Sequence, residues 1–269
     1  MIIDTTAMVP VLSIAGSDPS GGAGIQADIK TITAHRCYAE TVITALTAQN
    51  TLGVYGVENI SREFIAMQID AVFDDIRPEA VKIGMVSSVP IIETIVERLR
   101  FWGARNIVLD PVMMSTSGGK LISDEAIDAL KAMLIPLADV ITPNLAEAEV
   151  LCGYALRTEE EMERAASQLH EISGNAVLIK GGHLSEKADD VLIDKAGTIQ
   201  WFAEEHIVTN NTHGTGCTLS SAIACDLAMG LDMPAAVYRA KSYVTGALRD
   251  GLELGRGSGP LNHMWEYAD

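Results

Sequence analysis

The chain has 269 residues, of which 48% are hydrophobic and 20% charged, so it holds enough apolar material to bury a sizeable core; intrinsic disorder is excluded. Its 36 acidic side chains against 19 basic ones give a formal net charge of -17, which, with no basic stripe to offset repulsion from phosphate backbones, argues against a nucleic-acid binder. An anionic substrate stays open, but its site would be built from local backbone dipoles and a metal rather than from bulk positive charge.

Residues 1–8 read as a short, loosely held lead without the basic and long apolar regions of a secretory signal. No apolar run reaches the roughly 18 residues of a membrane span. Beyond the lead, β-rich runs at 9–15, 41–48, 80–83, 106–109, 140–142 and 176–179 alternate with amphipathic stretches at 62–73, 90–102, 123–134, 159–172 and 218–229. Ser123 is suited to cap its helix. Continuous apolar strands separated by helices predict a mostly parallel sheet covered on both faces, hence an α/β fold. The stretch 191–202 differs: it reads as a hairpin around Lys195-Ala196-Gly197, a small antiparallel addition at one edge. No linker or internal repeat interrupts the chain, so residues 1–269 are expected to form a single domain. Cys37, Cys152, Cys217 and Cys225 show neither CxxC spacing nor a nearby His pair, which argues against zinc or a disulfide framework and for a reducing cytoplasm.

In such a sheet ligands collect at the carboxyl ends of the strands. The first strand is followed by Gly16-Ser17-Asp18-Pro19-Ser20-Gly21-Gly22-Ala23-Gly24, either a tight turn packing a helix on the sheet or a small-molecule site. Neither GxGxxG nor a P-loop is present; Gly118-Gly119-Lys120 is followed by Leu121. Gln49 follows the second strand, where an amide offers a donor and an acceptor together. Met85, Val112 and Met113 are either an apolar wall for a flat ring or plain core. Asp110 ends the fourth strand, either holding a metal-bound water or a hydroxyl, or capping its loop. Asn144 and Glu147 have capping-box spacing, which also aims an amide and a carboxylate at one point where Mg²⁺ and phosphates would sit. Lys180, beside Gly181 and Gly182, suits phosphate contact or a solvated turn. The most specific element is Asn211-Thr212-His213-Gly214-Thr215-Gly216-Cys217-Thr218. Its glycines free the amides of Gly214, Thr215, Gly216 and Cys217 to converge at a helix start as an anion hole. Cys217 in the first turn is either a thiol lowered by the helix dipole, fit to act as a base, or a small buried side chain.

In this order and spacing, the motifs from Ala15-Gly16-Ser17-Asp18 through Thr47-Ala48-Gln49-Asn50, Lys82-Ile83-Gly84-Met85, Asp110-Pro111-Val112-Met113, Thr142-Pro143-Asn144, Lys180-Gly181-Gly182-His183 and His213-Gly214-Thr215-Gly216-Cys217 closely resemble the hydroxymethylpyrimidine/phosphomethylpyrimidine kinases of thiamine biosynthesis, members of the ribokinase-like superfamily. The resemblance implies a three-layer α/β/α sandwich and two successive ATP-dependent phosphorylations, of 4-amino-5-hydroxymethyl-2-methylpyrimidine and of its monophosphate. It implies that Gln49 binds the aminopyrimidine edge and that Gly16, Ala23, Asp28, Met85 and Val112 line the ring pocket. Cys217 stands where most ribokinase-like enzymes carry an aspartate base. Asn144 and Glu147 resemble the Asn-x-x-Glu element that organises Mg²⁺ and phosphates, with Asp110 beside them, and Lys180, His213 and Thr215 face the nucleotide phosphates. The segment 115–119 is implied to be a flap, and the assembly a homodimer. A pyridoxal or pyridoxine kinase on the same fold is the nearest alternative; a non-catalytic pyrimidine or nucleotide sensor is the alternative from another class.

Overall fold

A computed structural model describes residues 8–114, 121–182 and 188–267. Residues 1–7 of the expected lead, the expected flap at 115–119 and His183 lie outside the described residues. The elements in order are β1 (Pro10–Ala15), α1 (Gly24–Ala34), β2 (Tyr38–Ile43), β3 (Ala45–Asn50), β4 (Gly53–Asn59), α2 (Arg62–Asp75), β5 (Ala80–Ile83), α3 (Val89–Trp102), β6 (Ile107–Leu109), α4 (Asp124–Ala129), β7 (Val140–Ile141), α5 (Leu145–Cys152), α6 (Glu159–Ser173), β8 (Ala176–Ile179), β9 (Asp190–Ile193), β10 (Ile199–Phe202), α7 (Thr215–Ala228) and α8 (Met233–Asp250).

Eight strands form one sheet in the order β10-β9-β8-β7-β6-β5-β1-β2. Pairing is parallel from β8 to β2, and β9 and β10 add antiparallel at the edge, where the hairpin was expected. Side chains alternate across the sheet, which splits the core into two layers. Leu12 and Ile14 of β1 with Val81 and Ile83 of β5 pack against α2, α3 and α6, whereas Val11 and Ala80 face α1, α7 and α8. Helices on both faces make the three-layer sandwich. No helix among the described residues is long and apolar enough to cross a membrane.

Two departures from the sequence reading shape the site. The strand expected at 41–48 is two strands. Thr44 breaks it, donating its amide to Ala15 O and its hydroxyl to Met85 O at 2.8 Å. Beyond Thr44 the chain leaves the main sheet and β3 pairs antiparallel with β4 as a separate ribbon. The helix expected at 123–134 is capped by Ser123, whose Oγ accepts from Ala126 N, but it widens into a π turn over Leu130–Leu134.

The connection from β1 runs to β2 on one side, while β5 lies on the other. Their diverging carboxyl ends open a crevice, the switch point at which parallel α/β sheets bind ligands. Helix α7 points its first turn into this crevice. It is small-sided and buried along its length from Thr218 to Leu227, and this packing fixes its axis.

Candidate active site

Asp18 folds the loop after β1. Its Oδ1 accepts from Ser20 N and Ser20 Oγ, and its Oδ2 from Gly22 N at 3.1 Å and Ala23 N at 2.8 Å. Burial alone would raise this carboxyl, but bonds from His213, Ser20 and Ala23 outweigh it and hold Asp18 well below the usual carboxylate range. This loop packs backbone to backbone on the loop before α7. Gly214 has φ 87°, and a Cβ there would lie 1.9 Å from Gly22 O, so both the left-handed conformation and the close approach require glycine.

Gly214 is also the N-cap of α7, and no side-chain hydrogen bond closes that end. The Thr215 amide turns back to Thr212 O at 3.3 Å, so Gly216 and Cys217 of the first turn present backbone dipole to the crevice, as an anion site needs. Opposite them stand the ends of β6, β7 and β8. Asn144 and Lys180 extend the β7–β8 pairing by one parallel bridge. Lys180 Nζ donates to Asp110 Oδ1 at 2.9 Å. Asn144 and Glu147 complete a reciprocal capping box, with Asn144 N to Glu147 Oε2 at 2.8 Å and Glu147 N to Asn144 Oδ1 at 2.9 Å.

These groups enclose a cavity of about 170 Å³. Sheet order sets its two ends. Gly16, Ala23 and Gln49 lie at the β1–β3 end, and Asn144, Glu147 and Lys180 at the β7–β8 end, with Met85, Val112 and Asp110 between them and Cys217 above. The structure thus brings together most of the expected residues: Gly16, Ala23, Gln49, Met85, Val112, Asp110, Asn144, Glu147, Lys180 and the turn from His213 to Cys217.

Three expectations are corrected. Asp28 does not line the cavity. It is fully buried behind α7, where it accepts from Lys82 Nζ, Ser13 Oγ and Ser221 Oγ. His213 does not stand with Lys180. Its Nε2 lies 2.8 Å from Asp18 and 3.3 Å from Gln49 Nε2, which puts it at the ring end. The lowering expected of the Cys217 thiol is not found. Burial raises the thiol to about 11; the Lys82 ammonium and the Gly24 N–H lower it, but Asp28 and Asp110 raise it further. Thr215 lines the cavity, but its hydroxyl is turned to Thr212 O at 2.8 Å.

Burial pushes the Glu147 carboxyl up to about 7; Lys180 opposes the rise and the neighbouring Asp110 adds to it. Two carboxylates beside one lysine suit a hard divalent cation that takes its remaining ligands from phosphates and water. Among the described residues no group of three or more His, Cys, Asp or Glu forms a full protein cage, which Mg²⁺ in phosphoryl-transfer sites does not need.

Sequence reasoning missed Lys82 and the organising role of Asp18. Lys82 was visible as a charge within an all-buried parallel strand, a position that demands a counter-charge.

The family model described as phosphomethylpyrimidine kinase matches residues 18–262. A hydroxymethylpyrimidine/phosphomethylpyrimidine kinase of Rhizobium meliloti (strain 1021) is 50% identical over 260 residues, 95% of this chain and 97% of that protein. The thiamine biosynthesis bifunctional protein of Geobacter sulfurreducens is 48% identical over 260 residues, 96% of this chain but 53% of that protein, so the chain spans about half of this relative's length. Among solved structures, an ADP complex of Bacillus subtilis pyridoxal kinase superposes with a TM-score of 0.89 at 38% identity, covering 97% and 99% of the two chains. Likeness on this scale, in sequence and in fold, makes the protein a ribokinase-like kinase, and the alternative of a non-catalytic sensor falls away. More narrowly, the chain belongs to the phosphomethylpyrimidine kinase family.

Proposed function

We propose that the protein transfers the γ-phosphoryl group of ATP to the primary hydroxyl of 4-amino-5-hydroxymethyl-2-methylpyrimidine, and then phosphorylates the monophosphate to the diphosphate for thiamine diphosphate biosynthesis. The observation that carries this reading is the opposition of two charged elements across one cavity: the uncapped start of α7 with Cys217, and Lys180 on Asp110. The ring sits between Gln49, Met85 and Val112, and the nucleotide phosphates at the Lys180 end. The hydroxyl oxygen bonds to the γ-phosphorus as the bridging P–O bond to ADP breaks. A loose transition state asks for positioning and charge neutralisation more than for a strong base. The Gly216 and Cys217 amides and Lys180 supply the charge. Cys217, protonated, orients the hydroxyl by hydrogen bonding, and the hydroxyl proton passes late to solvent water, as the forming P–O bond acidifies it. In the second step the attacking phosphate oxygen is already ionised and needs no base. Glu147 and Asp110 would hold Mg²⁺, with Asn144 N–H ordering the Glu147 carboxylate, and the ion when bound would supply further charge neutralisation on the phosphates.

The four cysteines are free, which fits work in a reducing cytoplasm. A homodimer is part of the same reading. A lone two-stranded ribbon is marginal, and Leu46, Leu52, Tyr55 and Val57 leave the β3–β4 ribbon with exposed apolar side chains that a second copy would cover. Light scattering of the purified protein tests that point.

The likeness to Bacillus subtilis pyridoxal kinase favours a second reading, phosphorylation of the pyridoxal ring alcohol. Steady-state kcat/KM for both ring alcohols separates the two. Preference for the aminopyrimidine supports the first reading, and a decisive preference for pyridoxal overturns it.

A further inference from the structure

Gln49 meets two neighbours at the ring end of the cavity. As placed, the amide has Nε2 3.3 Å from His213 Nε2 and Oε1 3.3 Å from Thr47 Oγ1. The proton inventory of these neighbours is fixed from behind. Asp18, ionised, can only accept, so His213 Nε2, at 2.8 Å from its Oδ2, carries a proton and donates. The one hydroxyl proton of Thr47 goes to Ser17 O at 2.8 Å, so toward Gln49 its Oγ1 can only accept. A donor therefore faces Gln49 on the His213 side and an acceptor on the Thr47 side. The two ends of a carboxamide are nearly isosteric, and only the hydrogen-bond pattern decides which is which. Both contacts are satisfied in one orientation alone: Oε1 toward His213, sharing its N–H with Asp18, and the NH₂ toward Thr47.

We infer that Asp18, His213, Thr47 and Ser17 lock the Gln49 carboxamide with its oxygen on the His213 side, and that this order makes the site selective for an amino donor beside a ring-nitrogen acceptor. The remaining Oε1 lone pair takes a hydrogen bond from the amino group, and the remaining N–H gives one to the ring nitrogen. A 4-oxo ring, with an N–H beside its oxygen, presents the reverse order, and two like groups meet at each contact. A site built to hydrogen-bond a substrate rejects such a mismatch far more strongly than an apolar pocket rejects a change in size. Asp18, His213 and Thr47 act here as positioning residues, through Gln49. The inference rests on the aminopyrimidine reading for the identity of the ligand, but not for the state of the amide.

Two measurements test it. The first is kcat/KM for 4-amino-5-hydroxymethyl-2-methylpyrimidine and for its 4-oxo analogue, in the wild type, Thr47→Val and Thr47→Ser. Valine removes the acceptor that holds the NH₂, so the amino-over-oxo preference should fall at least about tenfold while KM for ATP stays within about twofold. Serine restores the acceptor and should restore the preference. An undiminished preference in Thr47→Val overturns the inference. So does a loss of preference in Thr47→Ser equal to that in Thr47→Val. The second measurement needs no variant: a neutron structure of the deuterated wild-type protein should show deuterium on His213 Nε2 and the ND₂ of Gln49 beside Thr47. An ND₂ beside His213 overturns the inference. Should the wild type phosphorylate neither pyrimidine, the aminopyrimidine reading fails, and the neutron map still decides the state of the amide.

Discussion

Lys82 donates to both carboxylate oxygens of Asp28 at 2.8 Å, and neither side chain reaches solvent. The pair joins β5 to α1 beneath α7. Ser221, one helical turn beyond Cys217, donates to Asp28 Oδ1 at 2.9 Å. Burial would lower the Lys82 ammonium, but the Asp28 carboxylate first, and Asp110 behind it, outweigh it and hold it above its ordinary range, so it stays charged. A buried charge whose partner is removed destabilises a protein by about 3–5 kcal/mol. Lys82→Met should lose that much unfolding free energy in urea, and adding Asp28→Asn should recover part of it. A loss under about 1 kcal/mol in the single variant contradicts the pairing.

With the Cys217 thiol near 11, its alkylation by iodoacetamide, followed on the peptide that carries it, should still be rising with pH beyond pH 9. A plateau reached below about pH 8 would restore the thiolate. Cys217→Ala should cut turnover about 10²-fold with the fold intact, the scale of losing the alignment of the attacking hydroxyl. Near-wild-type turnover removes Cys217 from the reaction.

Glu40 points inward from the edge strand β2, a placement that discourages edge-to-edge pairing. It is 8% exposed, and its Oε2 has no hydrogen-bond partner. Burial raises its carboxyl from 4.5 to about 7. A folded-state value above the unfolded one means that the native state binds the proton more tightly. The resulting stability is complete below the unfolded value and is lost as pH rises through the folded one. Glu40→Gln should therefore gain about 1–3 kcal/mol over the wild type near pH 8 and little near pH 4. Equal differences at the two pH values would show that Glu40 does not titrate in this window.

Gly214→Ala places a methyl group against Gly22 O in a left-handed backbone and must part the two glycine loops. Turnover should fall at least about 10²-fold, the scale of losing a preorganised donor. Far-UV circular dichroism should barely change, because α7 is held by packing beyond its first turn. Retained activity would show that the close approach of the loops is dispensable.

The alternation of strands and helices was legible because strands covered on both faces read as short apolar runs, Ala80–Ile83 and Ala176–Ile179 being bounded as expected. Glycine, Pro143 and the Asn144–Glu147 spacing marked the loops at the carboxyl ends. The break at Thr44 was hidden, since no glycine or proline interrupts the run and its cause is contact with Ala15 and Met85. Lys82 announced a buried charge, but nothing local named Asp28 as its partner 54 residues away. The motif around His213 showed that it stands near the glycine turn, not which end of the cavity it faces. For Cys217 the helix dipole suggested a thiolate, but the cost of burial, which only the folded structure shows, prevails.

The most direct test of the account is a phosphorus NMR time course of the purified protein with ATP, Mg²⁺ and 4-amino-5-hydroxymethyl-2-methylpyrimidine. The account predicts a monophosphate signal that rises and then gives way to a diphosphate, with ADP formed at each step. Persistence of intact ATP, or its hydrolysis to inorganic phosphate without any phosphorylated pyrimidine, would contradict it.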